Sequence, residues 1–320
     1  EVSKHYRELA YMGVWEVATH LGTILGNLKK CWDEIEAFKP DAIVLVDFPG
    51  FNMRIARKAA RAKWADVKIF QVVAPQVWAW KKGRIKSLAS DYTAVFPVLP
   101  FEHNLLIAGG VKSIYCGHPL LDTLSTNQDE TQQVPTKPVL LLLPGSRKQE
   151  LHKMLPVLLE VAKQFPEMEA VIAGAPGAAD TLYIQAREAG VNVVFGQTRN
   201  LLKTAEFAVI TSGTATLEAA LLNTPHVLVY KTSSLTYAIA KLLVNVTFIG
   251  LTNLILNREV VPELIQGRCT AGNIAKEIQS LDTSTQRLAF AELRMSLGHT
   301  GASERIAQKM LEIISVDHPS

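Results

Sequence analysis

Residues 139–150 read V-L-L-L-L-P-G-S-R-K-Q-E, and this stretch decides the fold. An apolar run of strand length, 139–143, stops at Pro144-Gly145, and residues 150–159 carry helical spacing. A buried strand therefore runs through a tight turn into a helix N-terminus, with Ser146 placed to cap that helix and Arg147 at the junction. The first N–H groups of a helix lack intrahelical partners and favour anions. A guanidinium beside them matches phosphate geometry better than an ammonium does. The expectation is a phosphate or diphosphate held by Gly145, Ser146 and Arg147 at the carboxyl end of a parallel strand, where open α/β sheets bind ligands. A plain Pro-Gly turn accounts for the local pattern equally well.

Residues 207–218, F-A-V-I-T-S-G-T-A-T-L-E, repeat the arrangement. A short apolar strand runs into small polar residues and then a helix over 215–222. Thr211, Ser212 and Thr214 are candidate caps, and Gly213 lets a ligand approach the backbone closely. Glu218 falls about one turn into the helix, placed to accept from ribose hydroxyls while the helix start faces phosphates. A well-capped helix with Glu218 near its positive end is the alternative. Two such junctions point to a nucleotide diphosphate. The chain has no G-x-x-x-x-G-K-[ST] loop and no intact G-x-G-x-x-G after a strand, which argues against a P-loop NTPase and an NAD site.

Strand and helix patterns alternate throughout. Strands are expected at 42–46, 67–73, 93–98, 113–115, 139–143, 170–173, 191–195, 207–210 and 226–229. That alternation means an α/β protein with parallel sheets covered by helices. The polar, two-proline stretch 125–138 is the expected linker between two Rossmann-like domains facing a central cleft, 1–124 and 139–300. A last helix in 301–320 is expected to return to the N-terminal domain or to reach a partner subunit. With 320 residues the chain is long enough for both domains. At 48% hydrophobic and 20% charged it is globular, and a net charge of +3 gives no reason to expect a nucleic-acid partner. Cys31, Cys116 and Cys269 are scattered and odd in number, which fits a reducing cytosol better than a disulfide framework or zinc site. No metal or other cofactor is expected.

The first half carries the chemistry candidates. The strand at 42–46 ends in D-F-P-G-F-N, so Asp47 sits at its carboxyl end. There it suits a general base, or equally an Asx turn leading into Pro49-Gly50. V-A-P-Q-V-W-A-W-K-K-G-R-I, 73–85, clusters Gln76, Trp78, Trp80 and Arg84 at a helix start, with at least one tryptophan expected in the core. His118, in G-H-P-L-L-D, is a candidate base or ligand, or a hydrogen-bonded loop histidine. Residues 10–30 place Met12, Trp15, Leu21, Ile24, Leu25 and Leu28 at helical spacing before Lys29-Lys30. Charged residues and glycines make this a poor membrane span, leaving a lipid-surface helix, an acyl-chain lid or a core-facing helix.

Together these motifs resemble lipid-A-disaccharide synthases, inverting glycosyltransferases of the GT-B fold. The resemblance runs over nearly the whole chain. It rests on E-L-A-Y-M-G-V-W-E-V (8–17), D-F-P-G-F-N (47–52), P-Q-V-W-A-W (75–80), L-P-F-E (99–102), G-H-P-L-L-D (117–122), L-L-P-G-S-R (142–147), S-G-T-A-T-L-E (212–218) and N-L-I-L-N-R-E-V-V-P-E-L-I-Q (253–266). It implies transfer of 2,3-diacylglucosamine from its UDP donor to 2,3-diacylglucosamine 1-phosphate, in a β-1,6 linkage with release of UDP. Asp47 is then the expected base and Arg147 the neutraliser of the leaving diphosphate. Ser212, Gly213 and Thr214 hold phosphate, and Glu218 the ribose. Asn253, Glu259 and Gln266, with Gln76 and His118, are further expected substrate contacts. Met12, Trp15, Val17, Leu21, Ile24 and Leu25 are expected to touch a membrane surface. The resemblance also implies a cytoplasmic enzyme, peripheral on the cytosolic face of the inner membrane, with a homodimer open through exchange between subunits.

Two departures bear on these expectations. The family starts with a strand, a G-E-x-S-G-D loop and a helix before the segment that opens here at Glu1, so weak or absent transfer is expected of this exact chain. Gly50 stands where many relatives carry a second carboxylate, leaving Asp47 the only acid in that turn. The competing readings are another GT-B UDP-GlcNAc enzyme, such as an epimerase or a peptidoglycan-precursor transferase, and a non-catalytic, membrane-associated UDP-binding module.

Overall fold

The computed structural model describes residues 21–62, 67–125, 137–243 and 246–316. The chain divides into two compact units, Glu1–Cys116 with Ser303–Ser320, and Gly117–Ala302.

The first unit begins with α1 (Leu21–Phe38), β1 (Ala42–Val46), α2 (Pro49–Arg61), β2 (Lys68–Val72), α3 (Arg84–Asp91), β3 (Ala94–Phe96) and α4 (Pro100–Ala108). Its strands form a parallel sheet in the order β1-β2-β3. The segment expected as a strand at 113–115 contributes only a parallel bridge from Ser113 to Val95. One face of the sheet buries Ile43, Leu45, Ile69 and Val95 with Trp32 of α1 and Ile55 of α2. On β1 the alternate positions Val44 and Val46 are exposed. Of the residues expected on lipid, Met12, Trp15 and Val17 lie outside the described residues, as does the side chain of Leu21. Ile24 is half-buried and Leu25 exposed, while Leu28, Cys31 and Ile35 of the same helix pack on the core.

The second unit comprises α5 (Leu120–Ser125), β4 (Val139–Leu143), α6 (Lys148–Ala162), β5 (Glu169–Gly174), α7 (Ile184–Glu188), β6 (Asn192–Phe195), α8 (Thr198–Thr204), β7 (Phe207–Thr211), α9 (Thr214–Leu221), β8 (His226–Tyr230), α10 (Ser234–Leu243), α11 (Leu251–Leu256), β9 (Glu263–Ile265), α12 (Ala271–Ser280) and α13 (Thr283–Ser296). Its six strands are all parallel, in the order β6-β5-β4-β7-β8-β9. β4 and β7 are buried along their whole length because helices cover both faces, which is why 139–143 reads as an unbroken apolar run. α6 buries Leu151, Met154, Leu155 and Leu158 on one face, and α9 with Leu202 and Ala205 closes the other.

α14 (Ala302–Val316) closes the chain and returns to the first unit, where Ile306 and Met310 pack on Phe70, Ala94 and Phe96. The first unit ends at Cys116 rather than at residue 124, because α5 packs Leu121 among Leu217, Leu221, Phe290 and Leu293 of the second unit. Most of the polar stretch expected as the linker, residues 126–136, lies outside the described residues.

Candidate functional site

The second sheet has the doubly wound order in which its own first strand in sequence, β4, lies beside its fourth, β7, so its direction of winding reverses between them. Crossover loops part at such a switch point and leave a crevice at the strands' carboxyl ends. A cavity of about 860 Å³ lies there, lined by Gly145, Ser146, Arg147, Ser212, Gly213, Thr214 and Glu218. Both stretches singled out by sequence therefore meet at one place.

The two helix starts are built differently from the sequence expectation. Ser146 does not cap α6; the N-cap is Arg147. Glu150, three residues on, accepts from the backbone N–H of Ser146 at 3.1 Å and of Arg147 at 3.2 Å, and from Arg147 Nη1 at 3.2 Å. This is the glutamate half of a capping box. Gly145 permits it: φ is +101°, and a Cβ there would stand 2.7 Å from Glu150 Oε2. At α9 the N-cap is Gly213 in extended backbone, and none of Thr211, Ser212 or Thr214 caps by its side chain. The buried Thr211 hydroxyl, on the cavity wall, has no hydrogen-bond partner among the described residues.

Several lining residues were not nominated by sequence: Gly174 at the end of β5, Pro176 just after it, and Gln197 and Arg199 at the start of α8. Arg199 Nε donates to Glu218 Oε1 at 2.5 Å. The strand at 191–195 followed by G-Q-T-R-N was the available signal, a third strand-to-helix junction ending in an arginine.

Asn253, Glu259 and Gln266 do not line this cavity. Asn253 is wholly buried: its amide donates to Val261 O and Glu263 Oε1, and its oxygen accepts from the N–H groups of Val260 and Val261. Direct substrate contact is therefore corrected to a structural tie, since every hydrogen-bonding position of the side chain is used. Glu259 is exposed. Gln266, with φ +52°, accepts from the Thr232 N–H at 2.8 Å.

His118 Nδ1 accepts from the Leu120 N–H at 3.0 Å, so the neutral ring carries its proton on Nε2. Burial pulls its pKa down to about 4, against the opposing pull of Asp122. That corrects the candidate base to a neutral ring that has a donor to offer at Nε2.

In the first unit, Asp47 ends β1 exposed, with φ +46°, and Phe48 follows at φ +44°. The Asx-turn alternative is not realised: among the described residues the Asp47 carboxylate has no partner, whereas its carbonyl accepts from Asn52 Nδ2 at 2.7 Å and Gln71 Nε2 at 3.1 Å. Both amides are buried. Gln76 is exposed. Trp78 is half-buried and donates to Glu102 Oε1 at 2.8 Å, and burial raises the Glu102 pKa to about 7. Trp80 is exposed, with Lys81 and Arg84 over its ring. Among the described residues no cluster of three or more His, Cys, Asp or Glu could hold a metal ion.

The family profile described as Lipid-A-disaccharide synthetase matches residues 1–315. The chain belongs to that family. Its relatives include the lipid-A-disaccharide synthase of Syntrophus aciditrophicus (strain SB), 37% identical over 96% of this chain and 84% of that protein. The lipid-A-disaccharide synthase of Myxococcus xanthus (strain DK1622) is 35% identical over the same shares. The family's activity is hexosyl transfer in lipid A disaccharide synthesis. Solved structures bear out the α/β GT-B fold. UDP-GlcNAc 2-epimerase from Neisseria meningitidis superposes with a TM-score of 0.61 over 94% of this chain and 83% of that chain, at 16% identity. The Methanocaldococcus jannaschii enzyme of the same name gives 0.55 over 89% and 79%, at 15% identity.

Proposed function

We propose that this synthase-family chain transfers 2,3-diacylglucosamine from its UDP donor to 2,3-diacylglucosamine 1-phosphate, giving the β-1,6-linked disaccharide phosphate and UDP. The observation that carries the reading is the meeting of Gly145–Arg147, Ser212–Thr214 and Glu218 around one cavity at the switch point of the second sheet. The phosphates and ribose of a nucleotide need those parts in that order: a cation with backbone N–H groups, then a carboxylate for the diol. The structures of the Neisseria and Methanocaldococcus epimerases hold UDP-GlcNAc, which supports the choice of uridine nucleotide.

In this reaction the acceptor hydroxyl gives its proton to the Asp47 carboxylate, and its oxygen bonds to the anomeric carbon from the face opposite the leaving group. The anomeric C–O bond to phosphate breaks, and the electron pair leaves on UDP. Arg147 and the backbone around Gly213 balance the charge that develops there. One displacement inverts the anomeric centre. Gln76 and His118 are proposed acceptor-side or phosphate contacts, His118 as an Nε2–H donor; Glu259 and Gln266 remain proposed contacts of the donor. With two acylated substrates, the protein works against a lipid surface, proposed as the cytosolic face of the inner membrane. The exposed Leu25 beside the half-buried Ile24 supports that contact. No described helix is long and apolar enough to cross a membrane.

The test is mass-spectrometric detection of disaccharide product from the two substrates in mixed detergent micelles, with UDP release followed in parallel. Disaccharide with an equimolar amount of UDP is expected, at the weak rate that the sequence leads us to expect of this chain. UDP-GlcNAc epimerisation without disaccharide would overturn the reading in favour of an epimerase.

A further inference from the structure

Arg199 ties three helices together at the rim of the cavity. From the first turn of α8 its Nε donates to Glu218 Oε1 on α9 at 2.5 Å, its Nη1 to the Thr123 carbonyl on α5 at 3.1 Å, and its Nη2 to Thr123 Oγ1 at 3.4 Å. The Arg199 side chain is one-third exposed and the Glu218 side chain 16% exposed. A planar fork suits this task, because one rigid group meets two partners at fixed angles. A carboxylate has two oxygens and about four lone-pair positions. Arg199 engages Oε1, and among the described residues nothing donates to Oε2.

We propose that Arg199 is a positioning residue for nucleotide recognition, holding the Glu218 carboxylate so that Oε2 accepts from the ribose hydroxyls of a uridine diphosphate, without touching the ligand itself. The proposal rests on reading the cavity as a uridine-nucleotide site. Its physical basis is preorganisation. A glutamate side chain in water samples many rotamers, and freezing it on binding opposes affinity. The Arg199 contact freezes Glu218 before the ligand arrives. It also offsets the negative charge of Glu218, which would otherwise repel the diphosphate.

The hydroxyls are the discriminating probe. Calorimetric titrations of the full chain with UDP and with 2′,3′-dideoxyuridine diphosphate compare wild type, Arg199→Met, Glu218→Gln and the double variant. Wild type is expected to favour UDP over the dideoxy nucleotide by about tenfold, the scale of a hydrogen bond to a charged group. Arg199→Met should cut that preference to about twofold. The double variant should match Glu218→Gln, because a residue acting through Glu218 adds nothing once Glu218 is altered. The isosteric Glu218→Gln keeps the cycle readable whatever Arg199→Met does to folding, which thermal unfolding of each variant monitors. An undiminished preference in Arg199→Met overturns the proposal. So does an equal loss for both nucleotides, which assigns Arg199 to phosphate or to folding. Wild type binding both nucleotides equally removes Glu218 as the ribose contact and the proposal with it, while leaving the UDP site standing. Wild type binding neither removes the nucleotide reading as well.

Discussion

At the scale of single residues, Asp47 carries the most information. Two successive non-glycine residues, Asp47 and Phe48, hold left-handed backbone, a conformation that costs about 1–3 kcal/mol and persists only where neighbours enforce it. Gln71 and Asn52 enforce it by donating to the Asp47 carbonyl from buried positions. Asparagine tolerates the same backbone, so Asp47→Asn should keep the fold. Transfer rate should then fall at least a hundredfold, the scale of a lost general base, with UDP affinity unchanged. A retained rate in the disaccharide assay would remove Asp47 as the base. His226 gives a second prediction. It is wholly buried against Phe290, and burial lowers its pKa from 6.5 to about 4. The unfolded chain binds the extra proton between those values, so this stability is present above pH 6.5 and lost on acidification towards pH 4. His118 acts in the same sense, and Glu102, raised from 4.5 to about 7, in the opposite one. In urea melts across that window His226→Leu should flatten the pH dependence by up to about 1.4 kcal/mol per pH unit.

At the scale of elements, the strands beside the site were legible because burial on both faces writes an uninterrupted apolar run. β4 begins and ends where the sequence puts it; β1 does too, although Val44 and Val46 leave one of its faces exposed. β9 was not legible: it has three residues and opens with Glu263, a charge that sequence reading places on a surface. The structure explains that charge. Glu263 is buried and accepts from the N–H groups of Ile249 and Gly250 and from Asn253 Nδ2, so it holds the start of α11. Glu263→Ala should destabilise the protein by about 3 kcal/mol in denaturant melts, because it strands buried donors. A change below about 0.5 kcal/mol would show that water replaces the carboxylate. The start of α6 was read as a Ser146 cap because the seryl hydroxyl is the commoner device. The decisive partner, Glu150, lies within the helix and reaches back. Arg199 escaped notice for a related reason: its role depends on Glu218 and Thr123, 19 and 76 residues away in sequence.

For the whole molecule, each unit has its own core, and composition alone misplaced their border. A polar stretch marks where the chain tolerates water, whereas a unit ends where its last buried side chain packs, and here Leu121 packs with the second unit. α14 belongs to the first unit although it follows the second in sequence. Met310→Ala should therefore weaken the first unit by about 2–3 kcal/mol, read in thermal melts. The same variant should leave UDP affinity within about twofold, since the Gly145–Arg147, Ser212–Thr214 and Glu218 contacts proposed for UDP all lie in the second unit. Loss of UDP binding in Met310→Ala would contradict that separation. The central claim is that the switch-point cavity is a uridine diphosphate site with Arg147 at the phosphates. Its most direct test is calorimetric titration of wild type and Arg147→Ala with UDP and with uridine. Wild type should bind UDP, and Arg147→Ala should weaken UDP at least about tenfold while leaving uridine unchanged. Equal UDP affinity in the two proteins, or no UDP binding by wild type, would contradict it.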